Sequence, residues 1–132
     1  MMNADVPRPF HIVVVNDEPA LIALMSEVFS DRGYHVTAFT DPLAALAACK
    51  LKPQDMDILV TDQTMPNLTG LELIRELRRL RPTLPVILAS GYSDVINAKT
   101  AAALGVSHFL AKPYRMHDLA QRIATLLEEH NG

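Results

Sequence analysis

Asp57-Ile58-Leu59-Val60-Thr61-Asp62-Gln63-Thr64-Met65-Pro66 is an apolar run that ends on an acid and then breaks into a proline-containing turn. Its β-branched and aliphatic centre suits a strand, which puts Asp62 at the strand's carboxyl end. Three other apolar runs also end on polar or reactive side chains. Phe10 to Val15 leads into Asn16-Asp17-Glu18, Val86 to Ala89 into Ser90, and Val106 to Leu110 into Lys112-Pro113. As parallel strands, these runs would bring acids, a hydroxyl and an ammonium to one edge of one sheet. Such an edge would hold a divalent cation and a phosphoryl group, with Asp62 as nucleophile.

Helical patterns separate the strands. Pro19 to Asp31 carries Leu21, Leu24, Met25, Val28 and Phe29 at a 3.6-residue period, with Gly33 as its stop. Tyr34 to Phe39, rich in aromatic and β-branched residues, predicts the second strand. Asp41-Pro42 opens a helix as cap and first-turn proline, running through Leu43, Leu46 and Ala47. Residues 70–80 place Leu71, Ile74 and Leu77 on one face. Asp94 to Leu104 closes at Gly105, and Arg115 to Glu129 carries Met116, Leu119, Ile123 and Leu126. Five strands alternating with five helices predict an α/β domain with a parallel sheet. Strands 1, 3 and 4 are continuously apolar and belong in the centre, whereas the mixed strands 2 and 5 suit the edges. Right-handed crossovers then give the order 2-1-3-4-5. The winding reverses between strands 1 and 3, so a crevice opens at their carboxyl ends, where Asp17 and Asp62 stand.

The chain has 132 residues, 49% hydrophobic and 20% charged, which suits one domain with a real core and excludes a disordered polymer. Residues 1–9 read as a disordered lead and 10–130 as the domain. A net charge of -3 gives no global field for nucleic acid or an anionic membrane. No signal-peptide pattern and no run of spanning length is present, so a cytoplasmic location is expected. Cys49 lies in an alanine-rich helical pattern and reads as a small core residue in a reducing compartment. The five histidines show no ligand spacing, so no histidine metal site is expected.

Asn16-Asp17-Glu18-Pro19, Asp62 to Pro66 with Gly70, Ser90-Gly91-Tyr92 and Lys112-Pro113-Tyr114 follow one another along the chain. Over residues 10–129 it resembles the receiver domain of two-component response regulators. The resemblance implies a flavodoxin-like (βα)5 three-layer sandwich and phosphoryl transfer to Asp62. The donor would be a phosphohistidine on a histidine kinase or a histidine phosphotransfer domain. It further implies Mg²⁺, held by side-chain oxygens of Asp17 and Asp62 and the main-chain carbonyl of Thr64, a hard-cation donor set. Asn16 and Glu18 complete the acid pocket, and Asp62, Lys112 and Ser90 are the implied catalytic groups. Ser90 and Phe109 are the implied switch, which alters the face of helix 4, strand 5 and helix 5. A weak homodimer through that face is also implied. Thr64 and Tyr92 flank the path of the hydrolytic water and would set the phosphoryl lifetime. The domain would catalyse its own phosphorylation and dephosphorylation while acting mainly as a switch. The Lys112–Pro113 bond is expected to be cis, with the ammonium in reach of Asp62.

Two residues depart from the family pattern: Asn16 stands where an acid is usual, and Phe109 where tyrosine is frequent. A haloacid-dehalogenase-type phosphatase would need a second acid at position 64, where this chain has Thr64. A flavodoxin-like cofactor binder would need a phosphate-friendly loop after strand 1 instead of Asn16-Asp17-Glu18. A receiver reduced to a protein-binding module is the remaining rival. The wording of Thr61 to Pro66 and of Ile87 to Tyr92 resembles receivers of hybrid sensor kinases. No helix-turn-helix pattern follows residue 129, so direct contact with nucleic acid is not expected.

Overall fold

Five parallel strands form one sheet in the order β2-β1-β3-β4-β5, as the strand composition predicts. They are β1 (His11–Val15), β2 (His35–Phe39), β3 (Ile58–Asp62), β4 (Val86–Ser90) and β5 (Phe109–Ala111). The helices are α1 (Pro19–Asp31), α2 (Pro42–Leu51), α3 (Gly70–Leu80), α4 (Ala98–Ala103) and α5 (Met116–Asn131), with a 3-10 turn at Pro53–Asp55. The computed structural model describes residues 8–91, 98–103, 105–106 and 108–131. Residues 1–7 of the lead expected to be disordered, and Asp94 to Asn97 and Leu104 of the expected fourth helix, lie outside the described residues.

Alternation along the strands divides the core into two layers. Ile12, Val14, Ile58, Val60 and Ile87 face Met25 and Phe29 of α1 and Leu119 and Ile123 of α5. Val13, Val15, Leu59 and Leu88 face Ala45 and Cys49 of α2 and Leu73, Ile74 and Leu77 of α3. Complete burial of one such large side chain contributes roughly 1.5–3 kcal/mol. In α2 it is the small residues that meet the sheet, and Leu43 is left 48% exposed. Cys49 is buried and free, as its setting predicts, and burial pushes its thiol pKa up.

Strands 2 and 5 begin later than their composition suggests, and one cause explains both. Gly33 and Gly105 have φ of 92° and 88° and end α1 and α4 in the left-handed region. The next amide then turns back to the helix, with Tyr34 N donating to Phe29 O at 3.2 Å and Val106 N to Ala101 O at 2.8 Å. These are Schellman closures, which satisfy the last helical carbonyls. Tyr34 and Val106 are therefore helix-capping residues, and the strands start at His35 and Phe109. Val106 stays buried as a hydrophobic anchor. Apart from α4, whose expected ends at Asp94 and Leu104 lie outside the described residues, the other expected boundaries fall within one or two residues of those observed, the usual fraying of element ends.

His11 and His35 are cross-strand partners with rings stacked 4.3 Å apart. The ring nitrogens of His11 lie 2.9 Å from Asp55 O and 2.6 Å from Thr37 Oγ1. No helix among the described residues is long and apolar enough to cross a membrane.

α3 opens with a reciprocal cap. Glu72 N donates to Thr69 Oγ1 at 3.2 Å and Thr69 N to Glu72 Oε1 at 2.9 Å. Those bonds hold the Glu72 carboxyl below its usual pKa range. The helix start lies so close to the sheet that a Cβ on Gly70 would sit 2.3 Å from Asp62 O and 2.7 Å from Leu88 Cδ1. Gly70→Ala is expected to destabilise the fold by about 2 kcal/mol, a typical overpacking cost. Urea unfolding should show a lower midpoint at unchanged slope. An unchanged midpoint would mean that this approach relaxes freely.

Candidate functional site

Strand register builds the site. Val15 pairs with Thr61, Asp62 with Ala89, and Ser90 with Ala111. Asn16, Asp62, Ser90 and Lys112 therefore share the carboxyl edge of the sheet. Among the described residues, the buried polar and charged ones are Asn16, Thr61, Asp62 and Ser90. All belong to this edge, in a core that is otherwise apolar.

Asp62 is 4% exposed, and its Oδ1 lies 2.5 Å from Lys112 Nζ. A buried carboxylate is costly without a cation and hydrogen bonds, so this contact makes its position tenable. Lys112 reaches it because β5 stops at Ala111 and the chain turns through Lys112–Pro113, a cis bond as expected. Lys112 N donates to Ser90 O at 2.9 Å, which ties the turn to the end of β4.

Asn16 is buried, and its Oδ1 accepts from Glu18 N at 2.9 Å, an Asx turn that sets the path of the loop. Asp17 and Glu18 are exposed on that loop, and Glu18 caps α1 ahead of Pro19. Thr64 is exposed after β3. Asn67, with φ of 75°, centres a three-residue turn closed by Leu68 N donating to Pro66 O at 2.9 Å. Asparagine tolerates that conformation better than other residues with a Cβ. Phe109 is half-buried on β5 against the α2–α3 layer. Tyr92 lies outside the described residues.

Three features escaped the sequence reading. Gln63 ties the strand end to α3. Its amide donates to Ala89 O at 2.9 Å, its carbonyl accepts from Gly70 N at 3.0 Å, and its side-chain Oε1 accepts from Leu71 N at 2.9 Å. The Thr69–Glu72 cap was written in the sequence as T-x-x-E, a readable signal. Tyr114 was seen only as part of a motif. Its hydroxyl pKa is pushed up to about 12 by burial first, then by the charges of Asp62 and Glu18. An open cleft of about 510 Å³ lies beside it, walled by Leu21, Leu24 and Met116 and reaching Glu18 and Lys112.

The carboxylates near this edge offer oxygen donors: the buried Asp62 at the end of β3 and the exposed Asp17 in the loop after β1. Among the described residues no three His, Cys, Asp or Glu side chains form a metal-holding group. A site with few protein oxygens suits Mg²⁺, which keeps several waters and is usually bound by one or two carboxylates.

The response regulator receiver domain family matches residues 12–124. The TorCAD operon transcriptional regulatory protein TorR of Escherichia coli (strain K12) is 34% identical over 119 residues, covering 90% of this chain and 50% of that protein. The transcriptional regulatory protein GlrR of the same strain is 29% identical over 122 residues, 92% of this chain and 27% of its own length. The chain thus spans half or less of these two relatives. A response regulator receiver domain protein from Clostridium thermocellum superposes with a TM-score of 0.85 at 25% identity, covering 92% of this chain and 97% of that one. A response regulator receiver protein from Sinorhizobium medicae gives 0.79 at 26% identity, covering 92% and 96%. The chain belongs to the response regulator receiver domain family, the phosphoacceptor modules of two-component signalling.

The Lys112–Asp62 contact predicts an asymmetry. Lys112→Met leaves a buried carboxylate without its cation and should destabilise by about 2 kcal/mol, below the figure for a fully buried pair because Lys112 is 31% exposed. Asp62→Asn leaves an ammonium free to turn to water, and should cost less or even stabilise. Denaturant midpoints of the two variants check this. Equal losses would show that the pair is not limited by carboxylate burial.

Proposed function

We propose that Asp62 accepts a phosphoryl group from a phosphohistidine of a histidine kinase or histidine phosphotransfer domain, and that the new charge switches the α4–β5–α5 face. The observation that carries this reading is the buried Asp62 carboxylate held 2.5 Å from the Lys112 ammonium, at the crevice between β1 and β3. An Asp62 oxygen attacks phosphorus as the phosphorus–nitrogen bond breaks, and the imidazole leaves with the bond's electrons. Lys112 is a positive charge beside the attacking carboxylate, already oriented by the turn that ties its backbone to Ser90. Ser90 ends β4 next to it and serves as the hydroxyl that turns toward the phosphoryl oxygens.

Mg²⁺, held by Asp17, Asp62 and the Thr64 carbonyl, would supply further neutralisation of the transferring group. Asn16 contributes no charge to that set, and its side-chain oxygen is engaged by the Glu18 amide. The apolar wall of Leu21, Leu24 and Met116 beside Lys112 suits the approach of a donor protein. Phe109 transmits the change by packing alone, since it lacks a hydroxyl. Thr64 and Tyr92 set the phosphoryl lifetime. Thr64 has no amide or acid to orient water, so Thr64→Asn and Tyr92→Ala speed the decay.

Incubation with acetyl phosphate and Mg²⁺, read by intact mass, should add one phosphoryl group to the protein and none to Asp62→Asn. Asp17→Ala should suppress the modification heavily. A protein that takes up no phosphoryl group would be a binding module only, and undiminished labelling of Asp62→Asn would overturn the acceptor assignment.

Restoring an acid at position 16 adds an attractive charge for a cation. Asn16→Asp is expected to tighten Mg²⁺ binding about fivefold, near 1 kcal/mol, in a direct titration. Equal or weaker binding would remove Asn16 from the site.

A further inference from the structure

Tyr114 comes directly after the Lys112–Pro113 turn and packs against the α1–α5 apolar layer. Its ring walls the cleft that Glu18 and Lys112 also line. Its hydroxyl is buried and has no hydrogen-bond partner among the described residues. Buried polar groups are rarely left so, because the lost hydration is not replaced. The hydroxyl also lies within the fields of Asp62 and Glu18, which together with burial keep it protonated to about pH 12. It is therefore a donor without a partner among the described residues, on a residue that lines the same cleft as Glu18 and as Lys112, the cation in contact with Asp62.

A phosphoryl group on Asp62 changes what surrounds that donor. It brings strong acceptor oxygens and added negative charge to the carboxylate that Lys112 contacts, on the side of the sheet where Tyr114 packs. We propose that the Tyr114 hydroxyl donates a hydrogen bond to the phosphoryl group carried by Asp62, a role that rests on the reading of Asp62 as the acceptor. The bond is absent in the resting protein and present in the phosphorylated one, which is the differential interaction that a two-state switch requires. It also places a hydroxyl readout on the α1–α5 side of the sheet, opposite the layer against which Phe109 packs. The loop from Lys112 to Met116, which leads into α5, then senses the phosphoryl group through both Lys112 and Tyr114.

The test compares the wild-type protein with Tyr114→Phe, which keeps the ring and its packing. Both are phosphorylated with acetyl phosphate and Mg²⁺, the donor is removed, and decay is followed by intact mass. Thermal unfolding is recorded before and after modification. The unmodified variant should be at least as stable as wild type, because only an unpartnered hydroxyl has gone. The phosphorylated variant should decay about five- to tenfold faster, the effect of losing a bond to a charged group, and should gain less thermal stability from modification. The same ratio is expected in a Glu18→Gln background. Its loss there would assign the bond to Glu18 and overturn the phosphoryl contact. Equal decay of wild type and Tyr114→Phe would overturn the inference while leaving the acceptor reading intact. A resting variant less stable than wild type would show that the hydroxyl is already bonded, and would overturn it too. A wild-type protein that takes up no phosphoryl group would overturn both readings.

Discussion

The negative charge of Asp62, almost wholly withdrawn from water, is the constraint around which the upper edge of this molecule is arranged. An ionised carboxylate among aliphatic side chains is tolerated only beside a fixed cation and oriented dipoles. Lys112 supplies the cation. Its backbone is tied to Ser90, so the ammonium is delivered by the sheet itself and not by a free loop. Gln63 and Gly70 bring α3 against the carbonyl of Asp62, which leaves the strand end little room to move. Charge, cation and backbone therefore form one unit whose parts depend on each other.

Parallel topology makes this unit compact. Every strand ends on the same side, so residues far apart in sequence become neighbours without any long connection. Asn16 shows how a single substitution within such a unit shifts its balance. The amide keeps the loop geometry through its bond to Glu18 N while carrying no charge of its own. Local shape and local electrostatics are separated at this one position. The fold at residue 16 therefore says little about cation affinity there.

Much of this was legible in the residues. Continuous apolar runs against mixed ones gave the strand order, and the polar residue after each run marked the sheet edge where Asn16, Asp62, Ser90 and Lys112 stand. Tyr34 and Val106 were misread as strand because aromatic and β-branched side chains favour strands, while the glycine before each bends the chain back onto a helix end. Leu24 lies in the apolar stripe of α1 yet is 46% exposed, since the stripe is wider than the sheet that covers it and its rim opens on the cleft. The role of Gln63 was hidden because its three bonds run to backbone groups, which leave no mark in side-chain composition. Gly70 could be read as a helix start, but the reason for a bare Cα is a carbonyl eight positions earlier, visible only in three dimensions.

The sheet's two outer strands bear on how the protein behaves at high concentration. β5 has three residues, so that side offers a short ladder of backbone groups to a foreign strand. β2, on the other side, is longer but alternates His35 and Thr37 with Val36 and Ala38, and its His35 ring is stacked on His11. Short or polar outer strands discourage edge-to-edge joining between molecules. The Schellman turn that commits Val106 to a helix end thus leaves β5 few backbone groups to offer an incoming strand.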